Sequence, residues 1–245
     1  MEDIKLIHLD ETDSTNRFLH DYHDEEGRTM TVVFADYQSD GHGQGSNHWE
    51  SERGKNLTLS LKTRPQNVPA NRQFVMLEAM ALAIRSVLCL YTDSVTIKWP
   101  NDIYWRDRKI SGTLSECAVS KGTVKSCIIG IGLNVNQQDF TSDAPNPVSL
   151  RQIIGKDTDL KDLLNRLLLC FKIYLERVNT GQYEEMHQAY NAVLYRRNRL
   201  ARYKDAEGEF LGTIERVEPD GHLVVRKEQS GMRRYAFKEI EFRDL

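Results

Sequence analysis

Lys98 closes a run, S-V-T-I-K-W-P-N-D at 94–102, whose alternation sends Val95, Ile97 and Trp99 to one face of a strand and Thr96 and Lys98 to the other. A lysine at a strand end, beside a turn set by Pro100 and Asn101, is either solvated or aimed into a cleft. In a cleft its charge would hold a carboxylate and a phosphate together. Asn101 and Asp102 read as turn formers or as nucleotide contacts. In I-I-G-I-G-L-N-V-N at 128–136 the same parity gives Ile129, Ile131, Leu133 and Val135 to the core. The opposite face carries Gly130, Gly132, Asn134 and Asn136, bare backbone ending in two amides, as where a ligand or another backbone comes close. E-T-D-S-T-N at 11–16 offers Ser14, Thr15 and Asn16 at a helix start, where capping and ligand binding are compatible roles. Q-S-D-G-H-G-Q-G-S-N-H-W at 38–49 is a loop with Gly41, Gly43 and Gly45 at alternate positions, suited to closing over a polar ligand or to a mobile connector.

These residues need elements to hold them. Residues 4–9 read as a first strand, followed by a short helix with Phe18 and Leu19 on one face. Residues 29–37 are a β-branched run and read as a buried strand. Leu57, Leu59 and Leu61 alternate with Thr58, Ser60 and Lys62, predicting a half-buried strand. Residues 71–91 carry a helical stripe of Phe74, Leu77, Met80 or Ala81, Ile84 and Leu88. From 94 to 136, strands alternate with short turns, which implies antiparallel neighbours. Two helices fill 159–195, broken at Asn179–Gly181. After Arg197, short strands separated by A-E-G-E, P-D-G-H and Q-S-G predict a small β-barrel. The expected architecture is α+β around a largely antiparallel sheet, with a boundary near 195–200.

Composition narrows the function. The chain has 245 residues, 40% hydrophobic and 28% charged, the make-up of an ordinary soluble protein. A net charge of −3 argues against a dedicated nucleic-acid binder. No apolar run is long enough for a membrane helix, and the first residues lack a secretory pattern. Cys89, Cys117, Cys127 and Cys170 are scattered, with no C-x-x-C pair, and are expected to be buried apolar residues in a reducing cytosol. His20 and His23, and His42 and His48, lie close together in sequence. Neither pair has a cysteine or carboxylate partner at ligand spacing, so no metal site is expected. A G-x-S-x-G elbow and a P-loop are absent.

In this order, the segments resemble the biotin–protein ligases. The matching pieces are D-S-T-N (13–16), A-D-Y-Q-S-D-G-H-G-Q (35–44), W-E-S (49–51), K-W-P-N-D (98–102), K-I-S-G-T-L-S-E (109–116) and G-I-G-L-N-V-N (130–136). The resemblance covers nearly the whole chain. It implies a catalytic domain similar to class II aminoacyl-tRNA synthetases over 1–196, with an antiparallel-rich mixed sheet, and an SH3-like barrel over 197–245. It implies that biotin and ATP form biotinyl-5′-AMP and pyrophosphate, with Mg²⁺ as activator and no prosthetic group. A lysine on a biotin carboxyl carrier domain then takes the biotin.

In this scheme Lys98 is catalytic and touches both the carboxylate and the α-phosphate. Ser14, Thr15, Asn16 and Gln38 bind the ureido head of biotin, and Gly112 and Leu114 wall its pocket. The loop holding Gly41, His42, Gly43 and Gln44 folds over the adenylate. Trp49, Asn101, Gly130, Gly132 and Asn134 belong to the nucleotide side. The family loop typically reads G-R-G-R, whereas this chain has His42 and Gln44, which implies fewer charge-assisted contacts and looser adenylate retention. Catalytic strand begins by about Ile4, so no DNA-binding module is expected at the front. A cytoplasmic enzyme, monomeric or homodimeric, is expected, with no membrane or DNA partner. The alternatives are a lipoate–protein ligase or octanoyltransferase, and an inert biotin-binding module. The basic cluster Arg196, Arg197, Arg199, Arg202 and Lys204 is open to a role facing ATP or an acidic carrier, or to being a solvated linker.

Overall fold

The computed structural model describes residues 4–23, 28–43, 45, 48–141 and 146–243. Strands β1 (Ile4–Leu9), β2 (Met30–Ala35), β3 (Leu57–Thr63), β4 (Val95–Lys98), β5 (Asp102–Trp105), β6 (Arg108–Ser120) and β7 (Thr123–Leu133) form one sheet in the order β1-β2-β3-β7-β6-β5-β4. Only β1 and β2 run parallel, and helix α1 (Thr15–Asp21) lies between them in sequence. The other neighbours are antiparallel, as the short turns require. The fold is therefore α+β with a mixed, mostly antiparallel sheet. Strand β5 is an addition to the expected set. Four residues after a Pro-Asn turn are too short to show a period, and cross-strand pairing with β4 and β6 defines them.

The two sheet faces differ. Val32, Leu59, Leu61, Ile129, Ile131 and Leu133 enter the main core with helix α2 (Phe74–Leu88), which packs against α4 (Leu160–Asn179) and α5 (Tyr183–Ala192). Helix α2 is buried nearly all round, including Val75, Met76, Ala79 and Leu82, so it does not follow the expected single stripe; Phe74 and Leu77 are only half-buried. A helix sandwiched between a sheet and other helices needs an apolar surface on both sides. On the opposite face, α1 covers a small cluster of Leu19, Val33 and Ile128, with Phe18 packed against it. Because α1 has seven residues, it roofs only part of this face. The polar side of β3 is buried too, contrary to the half-buried expectation, because Thr58 donates to the Ala35 carbonyl and Ser60 meets α1.

A short helix α3 (Leu150–Ile154), absent from the expected set, is capped by Ser149 with Gln152 in a reciprocal capping box. Strands β8 (Leu200–Asp205), β9 (Gly208–Val217), β10 (Leu223–Lys227), β11 (Gly231–Tyr235) and β12 (Glu241–Phe242) form a second, wholly antiparallel sheet in the order β11-β10-β9-β8-β12. Its apolar residues Ala201, Tyr203, Ile214 and Leu223 belong to the same continuous core as the first sheet. Among the described residues, no helix is long and apolar enough to cross a membrane.

The cysteines depart from the expectation of uniform burial. Cys127 is buried, Cys117 and Cys170 are half-buried, and Cys89 is exposed just past the end of α2. Cys117 and Cys127 are register partners on β6 and β7 with their sulfurs 2.8 Å apart. Their ten-residue separation hides this pairing, which the tight β6–β7 hairpin creates.

Candidate active site

The part of the sheet face that α1 leaves open forms a cavity of about 540 Å³. Ser14, Thr15, Asn16, Gln38, His42, Gly43, Trp49, Lys98, Asn101, Gly112, Leu114, Gly130 and Gly132 all line it. Residues separated by more than a hundred positions converge because β3, β7, β6, β5 and β4 are successive neighbours in one sheet.

At the α1 end, Ser14 caps the helix by accepting from the Arg17 backbone N–H. Gln38 Oε1 accepts from the Thr15 backbone N–H at 2.8 Å and from Thr15 Oγ1 at 3.0 Å. Ser60 Oγ lies 2.8 Å from Thr15 Oγ1 and donates to Asn16 Oδ1 at 2.7 Å, while Asn16 Nδ2 donates to Glu116 at 2.9 Å. The carbonyl ends of both amides are thus committed within the protein. Gln38 Nε2 remains a donor without an acceptor among the described residues. Ser60 was missed by sequence reasoning because a serine in a strand carries no spacing signal.

Lys98 stands at the end of β4, half-buried, with Nζ 3.1 Å from Tyr104 Oη and lying over the rings of Tyr104 and Phe242 at 4.9 and 5.1 Å. The aromatic faces favour the cation and screen it from water. The turn after it is latched on several sides. Thr113 donates to the Asn101 carbonyl through its N–H and hydroxyl, Asn101 Nδ2 donates back to the Thr113 carbonyl, and Tyr190 Oη donates to the Pro100 carbonyl at 2.9 Å. A second lysine, Lys109, is paired with Asp102 at 2.7 Å and lies 5.7 Å from the centre of the Trp49 ring system.

The glycines of this face are there for close approach. A Cβ on Gly132 would overlap the Trp49 indole, and one on Gly112 would sit 3.2 Å from it. A Cβ on Gly130 would lie 2.7 Å from Asn16 Oδ1. Gly130 therefore neighbours the Ser14–Asn16 group, and Gly112 neighbours Trp49, Asp102 and Lys109. The Trp49 indole N–H is buried and meets no acceptor among the described residues.

Some expected residues are elsewhere. Asn134 is buried and does not line the cavity; its Nδ2 donates to the Val148 carbonyl at 3.2 Å. It lies one residue past the end of β7, where the alternation that would aim it at the cavity no longer holds. Gly41 is buried behind the cavity wall, and its carbonyl accepts from Trp49 N–H at 2.8 Å. Gln44 lies outside the described residues. None of the basic cluster Arg196, Arg197, Arg199, Arg202 and Lys204 lines the cavity; Arg196 donates to the Arg243 carbonyl at 2.6 Å. Instead the connection between β11 and β12 contributes Phe237, Lys238 and Ile240 to the wall, and β12 contributes Glu241 and Phe242. No local motif marks these residues, and only docking of the second sheet exposes their part. The loop histidines also differ from expectation: Asp40 lies 3.0 Å from His42 Nε2 and 3.9 Å from His48 Nδ1, supplying the carboxylate that sequence spacing denied them.

Residues 9–134 match the Biotin/lipoate A/B protein ligase family. The chain belongs to this family. It is 30% identical over 243 residues to the bifunctional ligase/repressor BirA of Bacillus spizizenii, covering 96% of this chain and 73% of that protein. It is 27% identical over 201 residues to the biotin–[acetyl-CoA-carboxylase] ligase of Paracoccus denitrificans, covering 79% and 83%. The structure of Aquifex aeolicus biotin protein ligase in complex with biotin and ATP superposes with a TM-score of 0.80 at 25% identity, over 98% of this chain and 99% of that one.

Proposed function

We propose that the cavity joins biotin to ATP with Lys98 as the cation where the two anions meet. The chain is a biotin–protein ligase: it activates biotin as biotinyl-5′-AMP and transfers it to a lysine of a carrier protein. The observation that carries the assignment of roles is the position of Lys98. Its ammonium is half-buried against two aromatic rings, in one cavity with a preorganised amide and hydroxyl network and a glycine-floored patch under Trp49.

In the first step an oxygen of the biotin carboxylate bonds to the α-phosphorus, and the bond to the pyrophosphate oxygen breaks. Lys98 offsets the repulsion between carboxylate and phosphate and stabilises charge on the α-phosphate oxygens. Thr15, Asn16, Gln38 and Ser14 hold the ureido head, with Gly130 and Leu114 beside it. Asn101, Gly112, Gly132 and Trp49 take the nucleotide, and Lys109 and Lys238 face the polyphosphate. Bound Mg²⁺ would supply positive charge to the phosphates. Asp102 and Glu241, the carboxylates of the wall, are oxygen donors of the kind it accepts alongside phosphates and water. In the second step the neutral amine of the carrier lysine bonds to the acyl carbon, AMP leaves with the bridging oxygen, and the amine proton passes to solvent. His42, Gly43 and Trp49, which line the cavity, lie beside the adenylate and keep water from the anhydride. Residues 1–196 form the catalytic unit and 197–245 a closing wall. The reaction needs no prosthetic group and no DNA, and its ATP and carrier supply suit the cytoplasm.

Biotin-dependent exchange of pyrophosphate into ATP tests this reading. The expected result is exchange with biotin and none with lipoate or octanoate. Exchange driven by lipoate or octanoate would assign the cavity to another acid, and no exchange with any of them would leave a binding module.

A further inference from the structure

We propose that Asp40, His42 and His48 form a binding site for one divalent transition-metal ion, of the zinc class, at the mouth of the cavity. The three side chains offer one carboxylate oxygen and two imidazole nitrogens, all within 4.8 Å of one another. Two imidazoles and a carboxylate, with a position left for water, is a donor set that zinc and its neighbours accept. Magnesium disfavours imidazole, so this site is distinct from one that serves the ATP phosphates.

The backbone holds the donors in place. The Asp40 N–H donates to the Asp13 carbonyl at 3.0 Å, which fixes the loop stem against the start of α1. His42 and His48 form an isolated antiparallel bridge, closed by the Trp49 N–H donating to the Gly41 carbonyl at 2.8 Å. Their rings lie 5.7 Å apart. Tetrahedral coordination at zinc–nitrogen lengths needs donor atoms roughly 3.4 Å apart. The Asp40–His42 separation of 3.0 Å and the Asp40–His48 separation of 3.9 Å bracket that value. His48 is 75% exposed at the side chain, so a change of rotamer brings its nitrogen inward without disturbing packing.

The pocket already attracts a cation. Arg17 Nη2 sits 3.0 Å from His42 Nε2 and 3.3 Å from Asp40 Oδ2. Metal binding uses the neutral imidazole, with the lone pair of His42 Nε2 turned to the ion, and the ion then takes the place between Nε2 and Asp40 Oδ2, which lie 3.0 Å apart. A metal ion would displace this guanidinium nitrogen, and Arg17 would keep its second pairing, with Asp13. Since His42 and His48 both line the cavity, the ion would bind the chain entering the loop to the chain leaving it. The site does not depend on the ligase reading, and its test needs neither biotin nor ATP.

The full chain, stripped with chelator, is titrated with Zn²⁺ by calorimetry, and with Co²⁺ by visible absorption. The expected result is one Zn²⁺ per chain, a tetrahedral Co²⁺ spectrum, and a higher Tm with Zn²⁺. His48→Ala, His48→Gln and Asp40→Ala should each weaken Zn²⁺ binding at least tenfold while keeping the metal-free Tm. His8→Ala, which disrupts the other cluster of candidate ligands (His8, Asp10 and Asp36), should leave it unchanged. Absence of stoichiometric binding overturns the proposal. So does binding that survives both His48 variants, or binding lost with His8→Ala.

Discussion

At the scale of single residues, the proposed chemistry rests on a lysine charge held against aromatic rings and partly shielded from water. Lys98 is held by Tyr104 and Phe242, so its removal takes away a preorganised cation and little packing. Lys98→Ala is expected to slow adenylate formation by about 10²–10³-fold, the usual cost of losing one such group, with little change in Tm. Single-turnover formation of biotinyl-AMP measures this, and a rate within a few-fold of wild type would remove Lys98 from the mechanism. Gln44→Arg restores a guanidinium to the loop and should slow release of the adenylate. The off-rate from preformed complex decides it; no change would mean the loop's retention does not depend on that side chain.

At the scale of elements, the open face of β7 is divided between two neighbours. Gly130 lies against Asn16, and Gly132 against Trp49. Gly132→Val should therefore raise the KM for ATP at least tenfold while biotin binding in the absence of ATP changes little. A parallel loss of biotin affinity would show that the face is not divided in this way. Helices α2 and α5 are joined by a buried pair, Glu78 and His187, with His187 Nδ1 2.6 Å from the carboxylate. Burial pushes the Glu78 pKa up, and the Glu78 carboxylate raises that of His187. Both shifts mean that the folded protein holds protons more tightly than the unfolded chain. Their contribution to stability is thus present at low pH and is lost as pH rises from Glu78's ordinary 4.5 through His187's raised value, above 6.5. Urea unfolding of wild type and Glu78→Gln between pH 5 and 9 should show the wild-type advantage shrinking as pH rises. A constant difference across that range would be inconsistent with the pair sharing a proton. Asp13, Asp205 and Asp220, whose values are lowered, change stability only below their ordinary 3.8 and do not interfere.

At the scale of the whole molecule, the second sheet is bound into the first. Asn191 on α5 accepts from the Val217 N–H at 2.7 Å and donates to its carbonyl at 3.2 Å. Trp99 Nε1 donates to the Gly221 carbonyl at 2.8 Å, and Phe237 lies 6.2 Å from the Trp99 ring. One core runs through both sheets. Calorimetry should therefore give a single cooperative unfolding transition, and two resolved transitions would mean that the second sheet folds on its own. The same docking makes Phe237, Lys238, Ile240, Glu241 and Phe242 part of the cavity, which explains why the terminal strands belong to a site whose motifs all lie before residue 137.

Much of this was legible in the chain itself. Strand parity alone aimed Lys98, Gly130 and Gly132 at one face, because side chains in a strand have only two directions to take. The Ser14 cap and the break between α4 and α5 likewise follow from local rules of helix ends. Where the period fails, so does the reading: Asn134 lies just beyond its strand, and four-residue β5 is too short to have a pattern. The remainder depended on contacts between distant segments. Ser60 beside Thr15, Asp40 between two histidines, Cys117 against Cys127 and Glu78 under His187 arise from sheet register and helix packing. Local sequence determines which way a side chain points, and only the tertiary structure decides what it meets there.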